Sequence, residues 1–196
     1  KSPGIDKKSD LLVDINKRGL NVMSEIEFGF LQTDSKIIGV TGSNGKTTTA
    51  TMIYHILKMS GLNVALAGNI GKSFSESVAE QNHKIYVLEL SSFQLDNIKS
   101  FSADISVITS ISPDHLDRYN YDFDEYVNAK LKITLNQSKN HFLIFNSDDK
   151  ELKKAVKMYV QNVTQFPYGF NSPKGPLTTT VKKKSIIIKE KKNINM

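Results

Sequence analysis

Residues 37–57 read IIGVTGSNGKTTTATMIYHIL, and the reading of that stretch decides the fold. Ile37, Ile38 and Val40 form a short β-branched run, which reads as a buried strand. Gly42 and Gly45 then allow backbone conformations that a Cβ would forbid. From Thr47 onward, Met52, Ile53, Ile56 and Leu57 recur at helical spacing. In this order the loop's free N–H groups and the positive end of the helix dipole converge on one point, where an anion is favoured. Lys46 adds a full charge there, and Thr47 adds a hydroxyl of the kind that ligates the magnesium of a bound nucleotide.

The stretch is close to the P-loop pattern G-x-x-x-x-G-K-S/T, with Val40 in place of the first glycine and Gly42 inside the loop. The candidate phosphate-binding residues are Gly42, Ser43, Asn44, Gly45, Lys46, Thr47 and Thr48. An ordinary strand–turn–helix with an incidental lysine is the plain alternative. The loop says that a nucleoside triphosphate binds; it does not say what is done with it.

Working outward, 196 residues hold one sizeable domain plus a fragment of another. There are no cysteines, which excludes disulfides and thiolate metal sites and fits a reducing compartment such as the cytoplasm. No apolar run reaches membrane-spanning length, so a soluble chain without a membrane partner is expected. The formal charge of +6 is carried almost wholly by lysine, since Arg18 and Arg118 are the two arginines. Readers of nucleic acid mix arginine and aromatics into a basic stripe, so a solvated lysine-rich surface is the simpler reading and no nucleic-acid partner is expected.

Along the chain, residues 9–19 read as a short helix and 20–30 as a brief strand with a helical turn. A strand running into a glycine-rich turn is expected over 63–71, and further strands at 84–95, 103–112 and 140–149. Helices are expected at 73–81, from Asp122 to 139 and at 150–160. Asp122 and Glu125 suggest a capping box. Beyond Asn162 the pattern weakens, although TTTVKKKSIIIKE (178–190) suggests a hairpin. Strands alternating with helices predict an α/β fold with a mostly parallel sheet flanked by helices. Ligands then bind beyond the carboxyl ends of the strands.

Those ends carry polar residues. Asn69 follows the second strand, Glu89, Ser91, Ser92 and Gln94 the third, and Asp114, His115 and Asp117 the fourth. A glutamate in the apolar run IYVLEL calls for a partner, either a metal or a structural cation. His115, beside carboxylates, is a candidate metal ligand or a loop histidine without a role. Ser91 and Ser92 lack a G-x-S-x-G setting, which argues against a nucleophile. Lys130 has Tyr126, Val127 and Ile133 at helical neighbour spacing, so it lies on or near the packed face, whereas Lys132 faces solvent. An inward lysine either snorkels to water or is neutralised.

The segments GVTGSNGKTTT, GNIG, VLELSSFQL, SPDHLDRY and YVNAKLKI, in this order, resemble the Mur ligases of peptidoglycan synthesis, and ELSSFQL with GNIG resembles their D-glutamate-adding branch. The match runs from about residue 2 to about 150. It implies a P-loop NTPase-like central domain and an ATP-dependent acid–amino-acid ligase. The L-alanyl carboxylate of UDP-N-acetylmuramoyl-L-alanine takes the γ-phosphoryl group, and D-glutamate then displaces phosphate. By resemblance, Lys46, His115 and Lys130 are catalytic. Thr47 and Glu89 ligate one magnesium, and His115 and Lys130 serve a second, with Lys130 carbamylated. Gly4, Asn69, Ser92 and His115 match positions that meet the muramoyl substrate.

The resemblance also implies that residues 1–24 end an N-terminal UDP-binding domain and linker. Residues 25–196 then belong to a central ATP-binding domain incomplete at its C-terminal side. A monomer is expected, as is inactivity of this piece alone. The competing readings are a sister Mur-type or folylpolyglutamate-type ligase, and a non-catalytic P-loop module. No N-K-x-D guanine motif supports the module.

Overall fold

The computed structural model describes residue 5 and residues 9–170, together with the backbone of strands 177–182 and 185–190. Gly4, expected beside a UDP group, lies outside the described residues. Helix α1 (Asp10–Lys17) and the short α2 (Glu25–Phe30) lead into β1 (Lys36–Thr41) and α3 (Lys46–Met59). Next come β2 (Val64–Gly68), α4 (Phe74–Glu80), β3 (Ile85–Glu89) and the single turn α5 (Ser92–Leu95). The chain continues through β4 (Ile105–Ile108), a 3-10 turn (Leu116–Tyr119), α6 (Phe123–Leu131), β5 (Phe142–Asn146), α7 (Lys150–Tyr159) and β6 (Thr164–Tyr168). Strands β7 (Leu177–Lys182) and β8 (Ser185–Glu190) pair antiparallel as the expected hairpin.

Strands β1 to β6 form one parallel sheet in the order β2-β3-β1-β4-β5-β6. The chain steps one way from β1 to the β2 edge, then the other way for every later strand. Right-handed crossovers therefore place α3 on one face and the later helices on the other. The cores agree. Ala50, Ile53, Tyr54 and Leu57 of α3 pack with Val40, Val64, Val87 and Val107. On the opposite face Ile26, Phe74, Leu95, Val127, Leu131 and Leu152 bury against Ile37, Leu88, Ile108 and Leu143.

Three local expectations are corrected. Residues 20–24 form no strand, and α2 is opened directly by Ser24, whose hydroxyl accepts from the Glu27 N–H at 3.1 Å. The third strand stops at Glu89, because Ser91 and Gln94 build a reciprocal capping box that starts α5. The helix from Asp122 ends at Leu131 and tightens into a 3-10 turn, Lys132–Thr134. Its cap is one-sided: Asp122 accepts from the Asp124 and Glu125 N–H groups, while Glu125 accepts from Asn120. Strand β6 carries no strand signal in the sequence, because TQFPY mixes polar residues with Pro167, which an edge strand tolerates.

Glu27 of α2 fastens this layer to the sheet. Its carboxylate, 2% exposed, accepts the backbone N–H groups of Lys99 (2.9 Å), Ser100 (2.6 Å) and Phe101 (3.0 Å). Burial pushes its pKa up, but the three N–H donors outweigh burial and hold it below the usual glutamate value.

Candidate nucleotide and metal site

The loop between β1 and α3 lies at the carboxyl end of the sheet and is shaped from both sides. Gly42 has φ +141°, and a Cβ there would stand 2.1 Å from the Thr109 hydroxyl oxygen. Gly45 (φ +83°) starts α3 without a side-chain cap, which leaves the first-turn N–H groups free for an anion. The loop end of β4 holds the rest. Ser43 N–H donates to the Ser110 carbonyl (2.8 Å), and Ser112 N–H donates to Ser43 Oγ (2.9 Å). Asn44 N–H donates to Ser110 Oγ (3.1 Å), and the Thr109 hydroxyl donates to the Asn44 carbonyl (2.6 Å). Ser43 and Tyr126 share a hydroxyl–hydroxyl bond of 2.9 Å. Thr48 is exposed in the first turn of α3.

Two lysines converge on this loop. Lys46 Nζ donates to the carbonyls of Gly42 (3.0 Å) and Ser43 (2.9 Å). Lys130 Nζ donates to the same Gly42 carbonyl (2.9 Å) and lies 4.7 Å from the centre of the Tyr126 ring. Lys130 is 2% exposed, so it points inward and does not snorkel. Burial pushes its amine down to about 8; the Lys46 charge adds to the shift and Asp114 opposes it. Lys132, just past the end of α6, instead meets the Asp96 carboxylate and carbonyl, each at 3.2 Å.

The buried Glu89, 2% exposed, bridges two neighbours. Its Oε2 accepts from the Thr47 hydroxyl (2.7 Å) and its Oε1 from the Asn69 amide (3.0 Å). Gly68 makes this approach possible. It has φ +104°, and a Cβ there would come within 2.3 Å of the Glu89 carbonyl oxygen. Asn69 N–H then donates to that carbonyl at 2.9 Å.

His115 takes a left-handed backbone conformation (φ 50°) and remains exposed. Its Nε2 stands 3.6 Å from Asp114 Oδ2, and its ring lies 5.5 Å from that of Phe93. Ser92 is buried at the first residue of α5.

The oxygens of Glu89 and Thr47 are hard donors suited to magnesium. Among the described residues no group of three His, Asp or Glu side chains could hold a metal. With Lys130 as an amine the second expected ion does not fit, because an ammonium repels a cation and has no lone pair to give. Sequence reading missed Thr109, Ser110, Ser112 and Tyr126, which brace the loop. The polar ending of ISVITSIS was the available signal.

The family model for the Mur ligase middle domain matches residues 40–195. The chain is 46% identical to the UDP-N-acetylmuramoylalanine–D-glutamate ligase of Bacteroides fragilis over 196 residues, all of this chain and 44% of that protein. The enzyme of the same name from Fusobacterium nucleatum is 44% identical over 165 residues, covering 80% of this chain and 37% of that one. The chain thus spans less than half the length of these curated relatives. Among solved structures, a Neisseria meningitides UDP-N-acetylmuramate:L-alanyl-γ-D-glutamyl-meso-diaminopimelate ligase superposes with a TM-score of 0.66 at 15% identity, covering 94% of this chain and 62% of that one. A MurF ligase from Thermotoga maritima in complex with ADP gives 0.59 at 21% identity, covering 83% and 39%. These two likenesses concern the fold alone. The parallel sheet, the P-loop and the residues matched place the chain in one family: it belongs to the Mur ligases, as their middle domain.

Proposed function

We propose that this chain is the ATP-binding part of a ligase that adds D-glutamate to UDP-N-acetylmuramoyl-L-alanine, acting in the cytoplasm as a monomer. The observation that carries the reading is the meeting of Lys46 and Lys130 on the Gly42 carbonyl. A P-loop switch has no use for a second, buried amine, whereas transfer of a phosphoryl group to a carboxylate gathers charge that needs neutralising.

In this reading the loop N–H groups and Lys46 hold the triphosphate. The substrate carboxylate forms a bond to the γ-phosphorus as the bond to ADP breaks. The amine of D-glutamate then forms the amide and expels phosphate. Magnesium, held by Thr47 and Glu89, supplies charge neutralisation at the phosphoryl oxygens. Asn69 orients the Glu89 carboxylate and, with Ser92 and His115, borders the muramoyl substrate.

Lys130 is the residue for carbamylation. Its neutral amine nitrogen forms a bond to the carbon of CO2 and releases a proton, which turns a cation into an oxygen ligand. With its pKa near 8, about a tenth of the amine is neutral at pH 7. That modification would create the second ion site, shared with His115, that the free amine denies.

Residues 1–24 belong in this reading to the preceding UDP-binding domain, and the 196 residues alone do not form the amide. The test is a ligase assay of the protein extended to the length of its relatives, with ATP, the muramoyl substrate and a panel of amino acids. Product with D-glutamate alone is expected. Product with another amino acid, or turnover by the 196 residues alone, overturns the corresponding statement. Labelling with 13C-bicarbonate should give a carbamate signal that Lys130→Met removes.

A further inference from the structure

We infer that Arg118 receives an anionic group of the muramoyl substrate, and that Phe93 is the positioning residue that presents it. The inference rests on the ligase reading above and assigns a further residue to the substrate side of that site.

Arg118 is one of two arginines in a chain whose cationic side chains are otherwise lysine. It sits three residues after His115, in the 3-10 turn between β4 and α6. Its guanidinium carbon stands 4.6 Å from the centre of the Phe93 ring. Phe93 lies in α5, the turn that follows Glu89. The same ring stacks with Tyr119 (6.0 Å, 13° between planes) and meets His115 at 5.5 Å. Tyr119 packs edge-on against Tyr126 (5.5 Å), whose hydroxyl bonds Ser43 of the phosphate loop. A continuous run of side chains thus links Arg118 to the P-loop.

Among the described residues Arg118 has no ion-pair partner, and its side chain donates no hydrogen bond. A guanidinium beside an aromatic ring is held there by cation–π attraction, and its five N–H donors form the fork that matches a carboxylate or phosphate. A lysine would supply charge without that fork. The residue is therefore held against Phe93 with its donors unused among the described residues, in the turn that follows His115. The substrates of the proposed reaction are all anionic. The nucleotide has its own cradle in the P-loop, so the muramoyl substrate, which His115 is expected to border, is the ligand assigned to Arg118.

The experiment is steady-state kinetics of the full-length enzyme with each substrate varied in turn, for wild type, Arg118→Gln, Arg118→Lys and Phe93→Leu. Arg118→Gln should raise KM for the muramoyl substrate roughly tenfold or more, leaving KM for ATP and D-glutamate within about twofold. Arg118→Lys should recover part of the loss. Phe93→Leu should raise the same KM. A muramoyl KM that Arg118→Gln leaves unchanged overturns the inference, as does a rise confined to ATP or D-glutamate. An equal fall in all parameters with a lowered melting temperature would show a structural role only and also overturns it. If Phe93→Leu does not fold, Arg118→Gln decides. A wild-type enzyme that makes no product would instead refute the ligase reading.

Discussion

The amine of Lys130 and the carbonyl of Gly42 are 88 residues apart in sequence and 2.9 Å apart in space. The bond ties the last turn of α6 to the loop that begins the phosphate cradle. It also holds a buried cation beside Lys46, which already donates to the same carbonyl. Two positive charges sharing one acceptor is an arrangement suited to ligands that bring negative charge, and costly without them.

That cost gives the first prediction. Because the folded pKa of Lys130 is lowered to about 8 from 10.5, the folded state binds fewer protons than the unfolded state between those values. Its penalty is full below pH 8 and fades as pH rises toward 10.5. Lys130→Met should therefore raise stability near pH 7 by about 1–3 kcal/mol, with a smaller gain at pH 10. Urea melts at the two pH values test this. Ligase activity of the full-length variant should be lost.

Gly42→Ala places a Cβ 2.1 Å from the Thr109 hydroxyl at a backbone angle that side chains rarely adopt. Destabilisation by roughly 2 kcal/mol or more is expected, with loss of nucleotide binding. Thr109→Ala should recover part of the stability but not all, since the φ strain remains. Calorimetry of the two single variants and the double variant measures the coupling.

Glu89→Gln should leave the fold within about 1 kcal/mol of wild type, because an amide can still bridge Thr47 and Asn69. It should weaken magnesium-dependent ATP binding roughly 10–100-fold. Titration calorimetry with and without magnesium separates the two effects, and equal weakening in both would remove Glu89 from the metal.

Glu27 supplies an acid-sensitive fastening. Its folded pKa is depressed, so its contribution is present above the unfolded glutamate pKa and is lost as pH falls through the lower folded value. Glu27→Gln should cost about 2 kcal/mol at pH 7, since an amide cannot accept three N–H groups. The difference from wild type should shrink in acid melts below pH 4. A constant difference across pH would mean that the charge is not what holds residues 99–101.

Local chemistry determined what could be read from the chain alone. The run from Ile37 to Leu57 specifies strand, loop and helix because β-branching, glycine freedom and helical spacing act over a few residues. The inward face of Lys130 followed from helical periodicity for the same reason. Only the tertiary structure decided the strand order, the sixth strand at Thr164–Tyr168 and the partners of each polar tip. Pro167 and its polar neighbours carry no strand signal, and their pairing comes from the free edge of β5. The grip of Glu27 on residues 99–101, and of Thr109 and Tyr126 on the phosphate loop, joins positions more than 65 residues apart or close to it. Such contacts depend on chain crossovers that bring distant loops to one end of the sheet, and no local pattern encodes which loops will meet there.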